Sequence, residues 1–222
     1  MQKTEGIILR RQEIRETSLL LVVFTRRLGK IHGLVKGVRG ARAAVPWYLD
    51  PLTLQSLVLY ERRRSPWVLI SSCDLLDAFD PIRRDFLKTA YAAYGLDLVD
   101  ALTGISDSHP EIFELLLHVL HTLEKGPDLR ACLRYLEAHL LRISGLLPEP
   151  ASLALSVPAK EALTQILRAD SSAGLTLPAP VEAELRVKLQ ALLRGVLERE
   201  LRSRSFLQAL GLENAPRVPV AA

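Results

Sequence analysis

The residues best suited to chemistry in this chain are arginines and lysines, and they crowd its first third. Arg11 and Arg15; Arg26, Arg27 and Lys30; Lys36, Arg39 and Arg42; and the run Arg62, Arg63 and Arg64 all fall before position 65. Residues 1–67 hold 13 Lys and Arg against 5 Asp and Glu, a balance of +8. The remaining residues hold 16 against 20, a balance of −4, so the overall +4 conceals a split. Clustered cations attract polyanions, chiefly by releasing the counterions condensed on a phosphate backbone, and this needs no base-specific geometry. A solvated basic surface without a partner is the plain alternative. Five aromatics stand among these cations: Phe24, Trp47, Tyr48, Tyr60 and Trp67. Phe24 and Tyr60 are expected in a hydrophobic core. Trp47 and Tyr48, in an irregular stretch, are the better candidates for stacking on bases.

Catalytic patterns are thin by comparison. Gly33, Gly37 and Gly40 have neither the spacing of a dinucleotide fingerprint nor the GK[ST] of a P-loop, and no G-x-S-x-G elbow occurs. His118 and His121 lie one turn apart on a predicted helix and could share a metal. They lack a second carboxylate or cysteine pair, so packing or surface roles are expected, as for His32 and His139. Cys73 and Cys132 form no CxxC and read as small buried residues in a reducing compartment. Asp74, Asp77, Asp80 and Asp85 read as helix caps or solvated acids. No enzyme activity, metal or cofactor is expected. The apolar runs at 19–24 and 113–123 are too short to span a bilayer, and the opening residues show no signal-peptide core. A soluble intracellular protein is expected.

The elements that must position these residues fall into two sets. Segments 6–11, 18–25, 30–38, 52–60 and 67–74 read as strands, with Gly29 in a turn between the second and third. Residues 40–51 make a longer connection, a loop or a helical turn. After Asp80-Pro81 the apolar period changes to three and four, as in Phe86, Ala90, Ala93, Leu96, Leu98 and Leu102. A second helix starts at Pro110 and ends near Lys125, and Asp128 caps a third that runs to Ser144-Gly145. Residues 148–158 and 171–180 read as linkers around a helix at 159–169. A long terminal helix is expected from Val181 to about Leu210, followed by a frayed end.

The fold class is therefore α+β with segregated halves: a five-stranded OB-fold β-barrel followed by an all-α helical domain. An SH3-like barrel is the nearest competitor. The domains are expected at 1–80 and 81–222. In an OB barrel the usual oligonucleotide surface is the face of strands two and three with the two loops β1–β2 and β4–β5. Arg11 and Arg15 then fall in the first loop, and Arg62, Arg63 and Arg64 in the second. Arg26, Arg27 and Lys30 sit at the tip joining strands two and three, while Lys36, Arg39 and Arg42 run out of strand three. On the third helix, Arg130, Arg134 and Arg142 could anchor an acidic partner, although surface salt bridging is the plainer role.

Several segments carry a resemblance. They are Gly6-Ile7-Ile8-Leu9 with Glu16-Thr17, the stretches 25–31 and 35–39, and the block 52–60. In the helical half they are 88–100 and Arg142-Ile143-Ser144-Gly145-Leu146-Leu147-Pro148. Together, in order and spacing, these resemble the RecO family of bacterial recombination mediators. The resemblance implies an N-terminal OB fold, a helical C-terminal domain, binding of single- and double-stranded DNA, and annealing of complementary strands. It also implies partners: RecR, with which RecA is loaded, and the acidic C-terminal tail of single-strand binding protein. A cytoplasmic, nucleoid-associated location follows from the same resemblance. One departure stands out. Many members carry a four-cysteine zinc module after the Gly-Leu-Leu-Pro segment, and here residues 148–158 contain no cysteine. Zinc is therefore not expected. Two rival readings stay open: an RNA-binding OB module, and a protein scaffold whose basic face is incidental.

Overall fold

Side-chain alternation along the second strand decides what becomes the inside of the first unit. In the computed structural model this strand is β2 (Ser18–Thr25), and its Leu19, Leu21 and Val23 are fully buried in one apolar cluster with Ile8, Ile31, Leu57 and Ile70. Around them run β1 (Gln2–Ile14), β3 (Gly29–Lys36), β4 (Leu54–Tyr60) and β5 (Val68–Asp77). The strand order is β1-β2-β3-β5-β4, and β4 pairs back onto β1 to close the barrel. Every pairing is antiparallel except β3–β5. This is the expected OB fold rather than the SH3-like alternative. The structure describes residues 1–14, 17–38, 46–61, 65–126, 128–197, 201, 203–204 and 207.

β1 is longer than its apolar run suggested because it serves two neighbours. Residues 2–7 pair with β4 and residues 6–14 with β2, with an irregularity between Ile8 and Arg10. Such a bulge bends a strand and sharpens its twist, letting one strand bridge two parts of a barrel. Gly33 permits the parallel closure: a Cβ there would lie 2.2 Å from Ile70 Cδ1. The connection after β3 holds a 3-10 turn at Trp47–Leu49, whose Leu49 inserts into the core. Phe24 is buried as expected, whereas Tyr60, the last residue of β4, is exposed: it still pairs with Leu69 of β5, but alternation turns it to the face opposite the buried Leu59.

Two compact units result. The barrel unit comprises Met1–Phe79 with Leu102–Glu114, and the helical unit Asp80–Ala101 with Leu115–Ala222. The helices are α1 (Asp80–Arg83), α2 (Phe86–Leu102), α3 (Pro110–Lys125), α4 (Leu129–Ile143), α5 (Val157–Arg168) and α6 (Ala179–Arg194). Asp128 caps α4 as expected, accepting from the Arg130 and Ala131 N–H groups. α4 is the hub: Ala131 to Leu141 are all buried.

Three expectations are corrected. α5 starts at Val157, inside the expected linker, because Ser156 caps it while Glu184 accepts from the Ser156 N–H and hydroxyl, both at 2.6 Å. α6 ends at Arg194 instead of near Leu210, with Gly195 as its C-cap, since glycine propagates a helix poorly. Of the expected apolar positions on α2, Ala90, Leu96 and Leu98 are buried together with Tyr91, Tyr94 and Val99, whereas Phe86 and Ala93 are exposed. The expected frayed end lies outside the described residues.

Candidate nucleic-acid interface

The β2–β3 hairpin has two ends, with Thr25 paired to Gly29 at the tip and Ser18 paired to Lys36 at the other. They are separated by about 24 Å at the usual strand rise. Both ends were expected to present cations, and the structure treats them differently.

At the tip the cations are largely engaged. The Thr25 hydroxyl donates to Gly29 O at 2.8 Å and accepts from the Leu28 N–H at 3.0 Å, fixing the turn. Arg26 Nε donates to Glu5 Oε2 at 3.0 Å, Nη1 pairs with the Glu114 carboxylate, and the guanidinium lies 4.8 Å from the Phe113 ring centre. Lys30 is only 8% exposed. Its carbonyl accepts from the Ser106 N–H at 2.8 Å, so the segment 102–114 lies along this strand. The Ser108 hydroxyl likewise donates to Arg27 O at 2.9 Å. Of the three tip cations, Arg27 alone has an exposed side chain. Burial of Lys30 and the two carboxylates on Arg26 set both apart from a phosphate-facing row.

Away from the tip, Lys36 marks the far end of the hairpin, and Arg11 and Arg10 lie midway along it. Lys36 is exposed at the last position of β3. Arg11 lies within β1 itself, not in the β1–β2 connection, because the strand runs on to Ile14. It is exposed and pairs with the Asp50 carboxylate. Arg10 is exposed too, and its register partner is Val22 where that of Arg11 is Leu21, so the two arginines occupy opposite faces of the ribbon. Arg10 was not among the sequence candidates, although an adjacent arginine pair in a strand must place one cation on each face. Arg15, Arg39, Arg42, Arg62, Arg63 and Arg64 lie outside the described residues.

The families described as "Recombination protein O N terminal" and "Recombination protein O C terminal" match residues 1–79 and 83–152. The chain belongs to the RecO family. A DNA repair protein RecO of Alkaliphilus metalliredigens is 33% identical over 151 residues, covering 68% of this chain and 61% of that protein. One from Syntrophus aciditrophicus is 30% identical over 146 residues, covering 66% and 56%. A third, from Anaeromyxobacter sp. strain K, is 27% identical over 245 aligned residues, covering 94% and 96%. The chain thus spans about six-tenths of the length of the first two relatives and nearly all of the third. The two RecO family segments meet where β5 ends at Asp77 and α1 begins at Asp80.

In this RecO-family helical unit, the α4 arginines do not form one surface row. Arg134 is 2% exposed; its Nη2 donates to Glu137 Oε1 at 3.1 Å and its Nη1 lies 3.7 Å from Glu182 Oε1. The Tyr94 hydroxyl donates to the same Glu137 oxygen at 2.7 Å, and burial, then the Glu137 charge, pushes that phenol well above its ordinary pKa. Arg142 donates from Nη1 to Leu167 O at 2.6 Å and from Nη2 to His139 Nδ1 at 2.8 Å, locking α4 to α5. His118 Nε2 accepts from the Ser172 N–H at 3.0 Å, and Tyr135 packs against the His139 ring at 4.1 Å between centres. Burial pushes the Cys73 thiol up to about 12 and Cys132 up to about 11, which makes both poor nucleophiles. No described helix is long and apolar enough to cross a membrane.

Proposed function

We propose that this chain is a non-enzymatic recombination mediator that binds single- and double-stranded DNA on its barrel and anneals complementary strands. With RecR it helps load RecA onto DNA covered by single-strand binding protein, working in the bacterial cytoplasm on the nucleoid. The observation that carries this reading is a set of exposed cations on a closed OB barrel, Arg10 and Arg11 midway along the ribbon and Lys36 at the end of β3, in a chain of the RecO family. Arg15, Arg39, Arg42, Arg62, Arg63 and Arg64, outside the described residues, are further DNA-binding candidates from the sequence. The mechanism is electrostatic: two polyanionic strands repel, and a cationic surface that holds both raises their local concentration. For the acidic tail of single-strand binding protein, the reading assigns the helical unit.

The test is the annealing rate of two labelled complementary oligonucleotides coated with single-strand binding protein, with and without the full chain. An acceleration that disappears at high salt is expected; no acceleration by a chain that binds bare strands sinks the mediator reading. Replacing Arg62, Arg63 and Arg64 together with alanine lowers the log–log salt slope for single strands by about 2, at roughly 0.7 per phosphate contact. Matched RNA oligonucleotides separate this reading from an RNA-binding module: equal or tighter RNA binding favours the latter.

A further inference from the structure

We infer that Trp47 is a base-stacking site which gives the barrel unit its preference for unpaired strands, an inference that rests on the DNA-binding reading above. Trp47 is 56% exposed, although tryptophan is a residue whose burial would add more stability than almost any other. The exposure is not that of a slack loop. Immediately after it, Tyr48 packs against the barrel core and Leu49 is 1% exposed inside it. The Tyr48 carbonyl accepts from the fully buried Gln55 Nε2 at 2.6 Å and from the Thr53 hydroxyl at 3.3 Å. The Asp50 N–H closes the turn on Trp47 O at 3.0 Å, and the Asp50 side chain holds Arg11 of β1. Two further backbone bonds, Leu52 N–H to Ile8 O and Ile8 N–H to Thr53 O, both 3.0 Å, stitch the end of the connection to β1. The indole is therefore presented outward from a turn anchored by these bonds, and the same turn's Asp50 holds the Arg11 guanidinium.

That arrangement has a specific chemistry. A flat, rigidly mounted π-face takes a nucleobase without reading its identity, since every base has a face to offer. In a duplex both faces of each base are already stacked, so only an unpaired base can dock. The ligand class is thus a single-stranded oligonucleotide with one base on Trp47 and a neighbouring phosphate within reach of Arg11, whose partner Asp50 is replaced by the phosphate. Tyr48 lies edge-on to the indole, centres 6.4 Å apart at 78°, and buttresses it rather than offering a second platform.

The experiment compares the full chain with Trp47→Ala and Trp47→Phe on an oligo-dT strand and on a duplex, across a salt series. Trp47→Ala is expected to weaken single-strand binding about tenfold with an unchanged salt slope, because stacking releases no phosphate counterion. Duplex affinity should hold within about twofold, and Trp47→Phe should restore most of the loss. Because the chain has two tryptophans, Trp67→Phe leaves Trp47 as the sole indole, and its fluorescence should quench on adding oligo-dT. Equal affinity of Trp47→Ala and the unaltered chain for oligo-dT, or equal losses on strand and duplex, would overturn the stacking site and leave the DNA reading standing. An unaltered chain that binds neither DNA at low salt overturns both. Should Trp47→Ala misfold, the quenching arm decides alone, and an unquenched indole under saturating oligo-dT overturns the site.

Discussion

Arg134 of the helical unit and Arg10 of the barrel unit are the same side chain put to opposite uses. Arg134 is sealed among Glu137, Glu182 and Tyr94, while Arg10 stands on an exposed ribbon. The histidines divide in the same way. His109, in the barrel unit, is gripped by carboxylates on both ring nitrogens, Glu111 at 2.9 Å and Asp107 at 3.1 Å. His118 and His139, in the helical unit, are turned inward and accept or meet backbone and hydroxyl groups. The lesson is that a unit's net charge says little about where its cations work. In the barrel unit Arg10 and Lys36 keep their charge at the surface while Lys30 is buried; in the helical unit the acidic sequence hides an ion network that fixes how α4 meets its neighbours.

The sharpest way to break that contrast is to remove Arg134. Methionine there leaves Glu137 and Glu182 buried without their cation, which costs about 3–5 kcal/mol. Far-UV circular dichroism during urea unfolding measures it. Changing Arg134→Met and Glu137→Leu together should recover much of the loss, because well-packed apolar groups replace a buried pair at little net cost. A loss under about 1 kcal/mol for the single change would mean that the network is as wet as a surface pair.

Next in size is Gly29→Ala. Gly29 has φ +66°, and a Cβ would lie 1.8 Å from Asp107 O, so both the turn and the segment 102–114 must shift. A loss of about 2 kcal/mol or more is expected, from left-handed strain plus displaced contacts. Gly37 is the control: φ is +71° but nothing lies within 4 Å of its Cβ position, so Gly37→Ala should cost only about 1 kcal/mol of strain. Thermal unfolding followed by tryptophan fluorescence reports the barrel, where Trp47 and Trp67 both reside. Equal losses at the two glycines would show that the segment yields freely.

The tip of the β2–β3 hairpin and the cations away from it can be separated by DNA titration. Arg10→Ala with Lys36→Ala should reduce the single-strand salt slope by about 1.4, at roughly 0.7 per lost phosphate contact. Arg26→Ala should leave the slope alone while costing about 1 kcal/mol of stability, through its ring contact and half-exposed ion pairs. A slope that moves with Arg26 instead would place the DNA at the tip.

The architecture was legible because its signals are local. The aliphatic and β-branched run in 18–25 and the switch to a three-and-four period after Asp80 are written in adjacent residues, and so is the Asp128 cap. The site was legible only as a population of cations. Nothing near Lys30 in sequence announces that residues 102–114 will lie along its strand, nor that Glu114 will take Arg26, 88 residues away. In sequence Arg134 looks like a surface arginine because its helix neighbours are ordinary; its burial depends on Tyr94 and Glu182, which come from α2 and α6. The Arg11 position failed for a smaller reason. A bulge between Ile8 and Arg10 lets the strand continue past its apolar run, and a bulge leaves little trace in composition.

The smallest effect is the most direct reading of the contrast between units, because the histidines should drive their stabilities in opposite directions with pH. The hydrogen bond to Glu111, aided by Asp107, raises His109 above its ordinary 6.5. Its stabilising contribution is therefore complete below pH 6.5 and lost as pH rises through the elevated value. Burial lowers His118 and His139 below 6.5, so their contribution is complete above that pH and lost as pH falls through the depressed values. The His109 ring is 34% exposed, so solvent screens its pairs and the change is modest. Barrel stability, followed by tryptophan fluorescence, should thus decline from pH 6.5 upward, and helical stability, followed by circular dichroism, from pH 6.5 downward. His109→Gln should flatten the alkaline limb alone, and His139→Gln should reduce the acid limb alone, leaving the part that His118 carries. If His109→Gln altered the acid limb instead, the carboxylate grip on His109 would not be what holds its proton.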